Sequence, residues 1–295
     1  MRLLLIANPA AGDGRATRVA AEAASWLEQR GHRTSVVPSD GPGHAEALAR
    51  GARAAHDALL AVGGDGTLHE VVNGLGVVES GRVPVGVLPC GSGDSFARDL
   101  GLCNPTEALE RLDSGAKRCV DLARVELHGP GPSRARLAIN VLAWGAGARI
   151  NRRAESLRWA RGRRYDLATL VELAGLRPLG GTAVRDRRAR PDELLGVASL
   201  TRHSGRGLCL APRASLDDGL IDLVSIRRGS RLALARVFAA VFRGAHLASP
   251  LVAYEQLASF ELELWPGAEL VLDGELVACE SLAVQVLPGA LEVLA

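Results

Sequence analysis

The chain has 295 residues, of which 47% are hydrophobic, 23% charged and 3% aromatic, and its formal net charge is +2. These values are typical of a globular protein with two domains, and the low aromatic content argues against a nucleic-acid binder that stacks bases. Its 5 cysteines are scattered without a CxxC pair, so they indicate reduced thiols rather than a zinc site or a disulfide framework.

The first 122 residues are predicted to alternate strands with helices, which is typical of a parallel sheet. The first strand, Leu3 to Ala7, is too short for the apolar part of a signal peptide, and no apolar run is long enough to span a membrane. We therefore expect a cytoplasmic protein. The remaining elements of this region are predicted as a helix at 16–30, a strand at 33–37, a helix from 44, a strand at 59–62 with a helix after it, and a strand at 83–88.

Two glycine turns follow strands of this sheet. Residues 63–67 read Gly-Gly-Asp-Gly-Thr and residues 91–93 read Gly-Ser-Gly. Backbone N–H groups at a helix N-terminus bind phosphate, and glycine leaves room for a ligand. We predict that a nucleotide is bound by Gly63, Gly64, Gly66, Thr67, Gly91, Ser92 and Gly93.

Two polar residues of the first turn carry further predictions. Thr67 is predicted to cap the following helix, with Glu70 at the spacing of a capping box. Asp65 would repel phosphate unless it works with a metal ion or transfers a proton, so it is a candidate general base. The alternative for this segment is an ordinary helix start with an exposed aspartate.

The pattern changes at about residues 116–124, and short apolar runs separated by turns follow. They predict a mostly antiparallel, β-sandwich-like domain over residues 123–295, with one helix at 232–242. The predicted strands are 138–142, 194–201, 220–226, 260–264, 270–272 and 282–286.

Two acidic strings lie in this second half. Asp217-Asp218-Gly219 is an ordinary turn sequence. Asp273-Gly274-Glu275 places two carboxylates around a glycine between apolar runs, where a hairpin with exposed acids is the common alternative.

Arginines form two clusters. Residues 149–164 contain seven, and residues 185–190 contain four. Such runs are usually solvated surfaces, but they also suit phosphates or the anionic phospholipids of a membrane.

The order of these motifs, from Asn8 to Glu275, resembles the diacylglycerol kinase catalytic superfamily, which includes bacterial lipid kinases, sphingosine kinases and ceramide kinases. Residues 69–75 (His-Glu-Val-Val-Asn-Gly-Leu) are most similar to the sphingosine kinase branch. The resemblance implies a Rossmann-like nucleotide domain, a β-rich lipid-binding domain, and an active site in the cleft between them.

The resemblance also implies roles for single residues. Asn8, Ser39 and Glu70 would line the nucleotide site with Gly274, while Arg158 and Arg164 would bind the ATP phosphates. Asp273 would bind Mg²⁺, Asp217 and Asp218 a structural magnesium ion, and Glu275 would take part in proton transfer as the second candidate base after Asp65.

Two positions depart from the family's pattern. Asp94 stands where the family usually has Asn, which adds a charge near the phosphates. Asn151 stands where sphingosine kinases place an acid that holds the sphingoid amine, and an amide cannot supply that charge. Asn151 therefore predicts a neutral alcohol lipid, such as diacylglycerol or ceramide, rather than sphingosine.

The sequence therefore predicts an ATP- and Mg²⁺-dependent lipid kinase that meets its substrate at the inner membrane surface, with no nucleic-acid partner. A dimer is compatible with the sequence, which does not specify the oligomeric state. The alternatives are an NAD kinase, which also uses a Gly-Gly-Asp-Gly loop, and a catalytically inactive protein that binds lipid or nucleotide.

Overall fold

A computed structural model describes residues 1–76, 83–129, 131–157, 168, 172, 175, 183–184, 193–205 and 207–295. The chain forms two compact units, one made of residues 1–122 with 288–295 and the other of residues 123–287. Strands β5 (Lys117–Gly129) and β15 (Ser281–Leu294) contribute residues to both units.

The first unit is an α/β domain around a parallel sheet. Its strands β1 (Arg2–Ala7), β2 (Arg33–Pro38), β3 (Ala58–Gly63) and β4 (Val85–Pro89) lie in the order β2-β1-β3-β4. The end of β15 pairs in parallel with β4 through Val293 and Leu294. All six residues of β3 are buried, as expected for a strand covered on both faces.

The helices of this unit pack through small side chains. In α1 (Arg15–Glu28) the buried residues are alanines and one leucine at helical spacing. In α3 (Asp65–Leu75) a Cβ on Gly74 would lie 2.2 Å from the carbonyl oxygen of Glu46 in α2 (His44–Ala52), so glycine allows these two helices to touch. The other helices of this unit are α4 (Ser95–Asp99) and α5 (Pro105–Asp113).

The second unit contains two antiparallel sheets. Besides β5 and β15, their strands are β6 (Gly131–Ala138), β7 (Val141–Gly145), β8 (Ala183–Val184), β9 (Glu193–Ser199), β10 (Ile221–Arg227), β11 (Val252–Leu257), β12 (Ser259–Glu263), β13 (Glu269–Leu272) and β14 (Glu275–Ala278). One sheet has the order β11-β10-β9-β7-β13-β14, and the other contains β8, β12, β15, β5 and β6.

Buried side chains from both sheets form one core in this unit, including Trp144 and Phe260, whose ring centroids are 6.5 Å apart. Trp144 also donates a hydrogen bond from Nε1 to Glu193 at 3.1 Å. Gly196 is its neighbour on β9, and a Cβ there would lie 2.0 Å from the indole ring. The strand therefore needs glycine where the indole crosses it.

Two helices belong to the second unit, α6 (Ala146–Ser156) and α7 (Arg231–Val241). Helix α7 matches the helix predicted at 232–242, whereas α6 was recognised in the sequence only as a charged run. The predicted strand at 138–142 is wrong as a single element, because β6 ends at Ala138 and β7 begins at Val141.

The predicted fold class is confirmed: an N-terminal α/β unit with a parallel sheet and a C-terminal unit that resembles an antiparallel β-sandwich. No helix among the described residues is long and apolar enough to cross a membrane.

Candidate active site

Three loops of the first unit meet where β1, β3 and β4 end, since the carboxyl ends of parallel strands share one edge of a sheet. A Cβ on Gly12, in the loop after β1, would lie 2.3 Å from the carbonyl oxygen of Cys90, in the loop after β4. A Cβ on Gly91 would lie 2.7 Å from the Cα of Gly64. The backbones of these loops are therefore in direct contact, and a side chain at Gly12 or Gly91 would clash with the neighbouring loop. The resemblance implies that the segment from Asn8 to Gly12 lines the nucleotide site, but Gly12 itself was not named among the predicted site residues.

At this edge of the sheet, the connections that follow the first strands lead to opposite sides of β1. Strand β1 lies between β2 and β3, so the chain leaves it on one side and returns on the other. Such switch points in open parallel sheets are where ligands bind. The predicted residue Asn8 follows β1 at this point, and its side chain accepts a hydrogen bond from the N–H of Ala10 at 3.0 Å. Ser39 follows β2 and is buried.

The predicted cap at Thr67 is wrong. Helix α3 begins at Asp65 with Gly64 in the capping position, so Thr67 lies inside the first turn. Its hydroxyl is buried and has no hydrogen-bond partner among the described residues. A Cβ on Gly63 would lie 2.3 Å from that hydroxyl oxygen, so only glycine leaves the hydroxyl its space.

Glu70 does not complete a capping box either. Its carboxylate accepts a hydrogen bond from the N–H of Ala45 at 3.0 Å, at the start of α2. A carboxylate at a helix N-terminus satisfies a free N–H group and interacts favourably with the helix dipole. Glu70 therefore fixes α2 against α3, and its predicted contact with the nucleotide stays a prediction.

Asp65 joins the two glycine turns. Its two carboxylate oxygens accept hydrogen bonds from the N–H groups of Ser95 at 2.9 Å and Phe96 at 3.1 Å. These groups are the free donors at the start of α4, which has no side-chain cap of its own. The carboxylate thus positions the second turn from the first. Its role as a base stays a prediction.

Asp94 holds the second turn in shape. It has a left-handed backbone with φ 48°, a conformation that Asn and Asp tolerate better than other non-glycine residues, and its Oδ1 accepts the N–H of Gly91 at 2.9 Å. This geometry explains why Asn and Asp can exchange here.

Unlike Asn, Asp94 carries a charge in a crowded place. Burial raises its pKa to about 6. The hydrogen bond from Gly91 opposes that rise, the Asp65 carboxylate adds to it, and Arg15 and Arg98 oppose it weakly. Burial likewise raises the pKa of the Cys90 thiol to about 11, with the Asp94 charge contributing.

The remaining predicted residues of the first unit lie at the same loops. Gly66 belongs to the first turn of α3, and a Cβ there would contact nothing within 4 Å. Ser92 and Gly93 lie between Gly91 and Asp94, and Ser92 is exposed.

In the second unit, Asp273 and Gly274 form the two-residue turn between β13 and β14, where Leu272 pairs with Glu275. Both turn residues have positive φ, 47° and 97°, as a type I′ hairpin turn requires. Glu275 is exposed.

The Asp273 side chain is buried, and its carboxylate accepts three backbone hydrogen bonds. The donors are Ile139, Asn140 and Val141, at 2.9, 2.9 and 2.8 Å. The carboxylate therefore holds the connection between β6 and β7. Its role as a ligand of Mg²⁺ stays a prediction.

Asn151 supports the same turn. The side chain is buried, and Nδ2 donates a hydrogen bond to the carbonyl oxygen of Gly274 at 3.2 Å. An ionised carboxylate has no hydrogen to donate, so an acid at this position would repel that carbonyl group. The amide is thus required by its neighbour, whatever it does toward a substrate.

Asp217 and Asp218 make local contacts in their turn. Asp217 accepts a hydrogen bond from the Ser215 hydroxyl at 2.8 Å, and Asp218 accepts one from the N–H of Leu220 at 3.0 Å.

Among the described residues, no group of three His, Cys, Asp or Glu side chains is close enough to hold a metal ion. Mg²⁺ in kinases is usually held by one or two carboxylates together with substrate phosphates.

Several predicted residues lie outside the described part of the chain, namely Arg158, Arg164 and the cluster at 185–190. The predicted convergence of Asp65 with Asp273 and Glu275 joins two units that are described separately, so it stays a prediction.

Comparison with known proteins also divides the chain soon after residue 122, although the second matched region includes residues 288–295, which belong to the first unit of the structure. Residues 2–125 match the family described as the diacylglycerol kinase catalytic domain, and residues 140–295 match the YegS C-terminal NAD kinase beta sandwich-like domain. A diacylglycerol kinase of Mycobacterium tuberculosis is 32% identical over 299 residues, which cover 99% of this chain and 94% of that protein. One from Bacillus subtilis is 29% identical over 282 residues, with 93% and 89% covered.

Solved structures show the same fold. A crystal structure of a diacylglycerol kinase from Bacillus anthracis str. Sterne has a TM-score of 0.72 at 18% identity and covers 99% of this chain and 96% of its own. Yeast NADH kinase complexed with NADH has a TM-score of 0.51 at 11% identity, with 99% and 82% covered. The chain belongs to the diacylglycerol kinase family.

Family membership implies that a nucleotide is used. The first glycine turn has room for its phosphates at Gly66, where a Cβ would contact nothing within 4 Å, and the buried Thr67 hydroxyl has a free hydrogen-bonding capacity among the described residues.

Proposed function

We propose that the protein is an ATP-dependent lipid kinase that transfers the γ-phosphate to a lipid hydroxyl, with diacylglycerol as the leading acceptor. The observation that carries the proposal is the meeting of the Gly63–Gly66 and Gly91–Asp94 turns at the carboxyl edge of a parallel sheet. Backbone-lined turns of this kind bind phosphate chains. Family membership supports phosphoryl transfer.

Each group has a stated part in the proposed reaction. The glycine turns and the Thr67 hydroxyl would hold the ATP phosphates, with Arg158 and Arg164 adding positive charge. Asp65 would accept the proton of the lipid hydroxyl, and Glu275 is the second candidate for that task. General base catalysis contributes about 10²–10⁴-fold. Mg²⁺, with Asp273 as its proposed ligand, would neutralise charge on the phosphates when it is bound.

The acceptor is proposed from Asn151. Its amide donates to Gly274 and offers no negative charge for the amine of sphingosine. A neutral alcohol lipid needs no such charge. The relatives reported above are named diacylglycerol kinases, which favours diacylglycerol over ceramide.

A phosphorylation assay tests the proposal. The purified chain is incubated with radiolabelled ATP, Mg²⁺ and neutral-detergent micelles that contain diacylglycerol, ceramide or sphingosine, and the lipids are separated by thin-layer chromatography. We expect label on diacylglycerol. Label mainly on sphingosine would overturn the ranking of acceptors, and ATP binding without turnover of any lipid would indicate an inactive binding protein.

The same assay tests the base. Asp65→Asn is expected to lower activity by about 10²–10⁴-fold, whereas Glu22→Gln, an exposed acid on α1, is expected to leave it unchanged. Because Asp65 also accepts two N–H groups, the melting temperature of each variant is measured. An active Asp65→Asn enzyme would refute the role, and Glu275→Gln would then be tested.

An NAD kinase is the second candidate. The similarity of the second half to an NAD kinase beta sandwich-like domain and the fold shared with yeast NADH kinase support it. Formation of NADP from NAD and ATP, without phosphorylation of any lipid, would favour it.

A further inference from the structure

Helix α7 (Arg231–Val241) exposes apolar side chains that nothing in the described structure covers. Its inward face buries Leu234, Val237 and Val241. Leu232 is 61% exposed, and Phe242, which follows the helix, is 47% exposed. Among the described residues, the exposed large hydrophobic side chains are Met1, Val36, Leu232 and Phe242. Two of those four therefore lie in this short helix or directly after it.

The exposed residues form a strip along the helix. Leu232, Ala235, Ala239 and Phe242 are all exposed, and their spacing of three and four places them on one side of a helix. Phe238 is half-buried beside them and contacts Phe242 edge-to-face, with ring centroids 5.5 Å apart. The strip is thus continuous, with an aromatic pair at its C-terminal end.

Arginines border the strip on both sides. Residues 223–254 contain no Asp or Glu, so this segment carries one sign of charge. By helical geometry, Arg231 lies on one side of the strip, and Arg236 and Arg243 lie on the other. All three are exposed, and none forms an ion pair within the described part of the chain.

This combination suits the surface of an anionic lipid bilayer. A helix that lies flat in a membrane interface has leucine and phenylalanine on one face and basic residues at its margins, where they meet lipid phosphates. An 11-residue helix is too short to span the hydrocarbon core, which needs about 20 residues, so it can only lie in the interface.

A second copy of the chain fits the face less well. In a two-fold interface the same patch meets itself, so the arginines of both copies would be brought together. No acidic side chain occurs in residues 223–254 to pair with them, and like charges across an interface are costly.

We propose that α7 is a membrane-docking element, which inserts the side chains of Leu232 and Phe242 between the headgroups of anionic phospholipids while Arg231, Arg236 and Arg243 bind their phosphates. The surface docks whether or not the chain phosphorylates a lipid, because neither the strip nor the arginines belong to the candidate active site.

Vesicle flotation without nucleotide tests the proposal. The full chain is mixed with vesicles of phosphatidylcholine alone or of phosphatidylcholine with phosphatidylglycerol. We expect it to float with the anionic vesicles, less so at high salt, and weakly with the neutral ones. Replacing the three arginines by Gln should lower the partition coefficient by about 100-fold, since each is worth about fivefold near an anionic surface. The double variant Leu232→Ser, Phe242→Ser should lower the partition coefficient by at least about tenfold.

Matched controls lie on the first unit. Val36, which is one of the exposed large hydrophobic side chains among the described residues, is replaced by Ser. The exposed Arg18, Arg33 and Arg53 are replaced by Gln. These variants should float like the wild type. Equal losses in both arginine sets would overturn the proposal in favour of a general charge effect.

Two further results would overturn it. The first is wild-type chain that does not float with anionic vesicles, or α7 variants that float normally. The second is a dimer in light scattering that the Leu232→Ser, Phe242→Ser variant dissociates. Kinase activity in neutral-detergent micelles is measured in parallel, and we expect the α7 variants to retain it. If the wild type floats with anionic vesicles but has no kinase activity, the proposed function is refuted and the proposed docking surface is not.

Discussion

Replacing Asp94 by Asn should stabilise the protein, and most strongly at neutral and higher pH. The side chain accepts the N–H of Gly91 from a left-handed backbone, and Asn can do both. The substitution removes only the charge. It therefore isolates the energetic effect of a carboxylate that is buried beside Asp65.

The sign of the effect follows from the pKa of Asp94, which rises from 3.8 to about 6 on folding. Below the unfolded pKa the group is protonated in both states and contributes nothing. Between about 4 and 6 the folded state keeps a proton that the unfolded state has lost, so the stability falls as the pH rises. Above about 6 the full penalty is present.

The magnitude follows from the same shift. At about 1.4 kcal/mol per unit, the penalty is at most about 3 kcal/mol. Asp94 is partly exposed, and solvent screening reduces the expected gain of the Asn variant to about 1–2 kcal/mol. Since 1 kcal/mol moves the melting temperature of a domain this size by roughly 2–4 °C, the difference is measurable.

The assay is thermal unfolding of the full chain at roughly pH 4.5 and roughly pH 8. These two pH values lie on either side of the shifted pKa of Asp94. Asp94→Asn should melt higher than wild type at pH 8, and about a third of that gain should remain at pH 4.5, where the unfolded state has already lost most of its proton. Asp13→Asn is the matched control, since Asp13 is an exposed aspartate with φ 55°, and it should change little at either pH. A gain of equal size at both pH values would refute the electrostatic reasoning.

Three further substitutions test packing and capping by thermal unfolding. Asp273→Ala leaves three buried N–H groups without their acceptor and should cost about 3 kcal/mol or more; a loss below 1 kcal/mol would show that water replaces it. Gly196→Ala drives a methyl group into the Trp144 ring and should cost about 1–3 kcal/mol, with quenched or shifted indole fluorescence; an unchanged spectrum would contradict the contact. Glu70→Ala removes the acceptor of the Ala45 N–H and should cost about 1 kcal/mol, whereas Glu70→Gln should recover most of it.

Most of the first unit could be predicted from the sequence because its signals are local, but helix α5 was not predicted, although Asn104 and Pro105 mark its start. The run at 58–63 is apolar throughout, and Gly63 and Gly64 end it just before a helix with an apolar stripe. The resulting strand, turn and helix depend on residues within one short window. The same holds for the alternation that indicates a parallel sheet.

The misses arise where the partner is distant in sequence. Residues 138–142 are uniformly apolar except for Asn140, and nothing nearby indicates a break. The break exists because Asp273, more than 130 residues away, takes the three N–H groups of the connection. Likewise β15 extends past Pro288 and Gly289, since Val293 and Leu294 complete the first unit's sheet beside β4.

A sequence motif also does not reveal which distant backbone groups its carboxylates bind. In the sequence, Asp65 and Asp273 stand beside glycines and predict metal binding or proton transfer. In the structure, both already accept backbone N–H groups, from Ser95 and Phe96 in one case and from the β6–β7 connection in the other. A carboxylate oxygen can accept more than one hydrogen bond, so anchoring and chemistry are compatible in one side chain. A loss of activity on substitution therefore identifies a catalytic role only when the melting temperature, and with it the anchored loop, is unchanged.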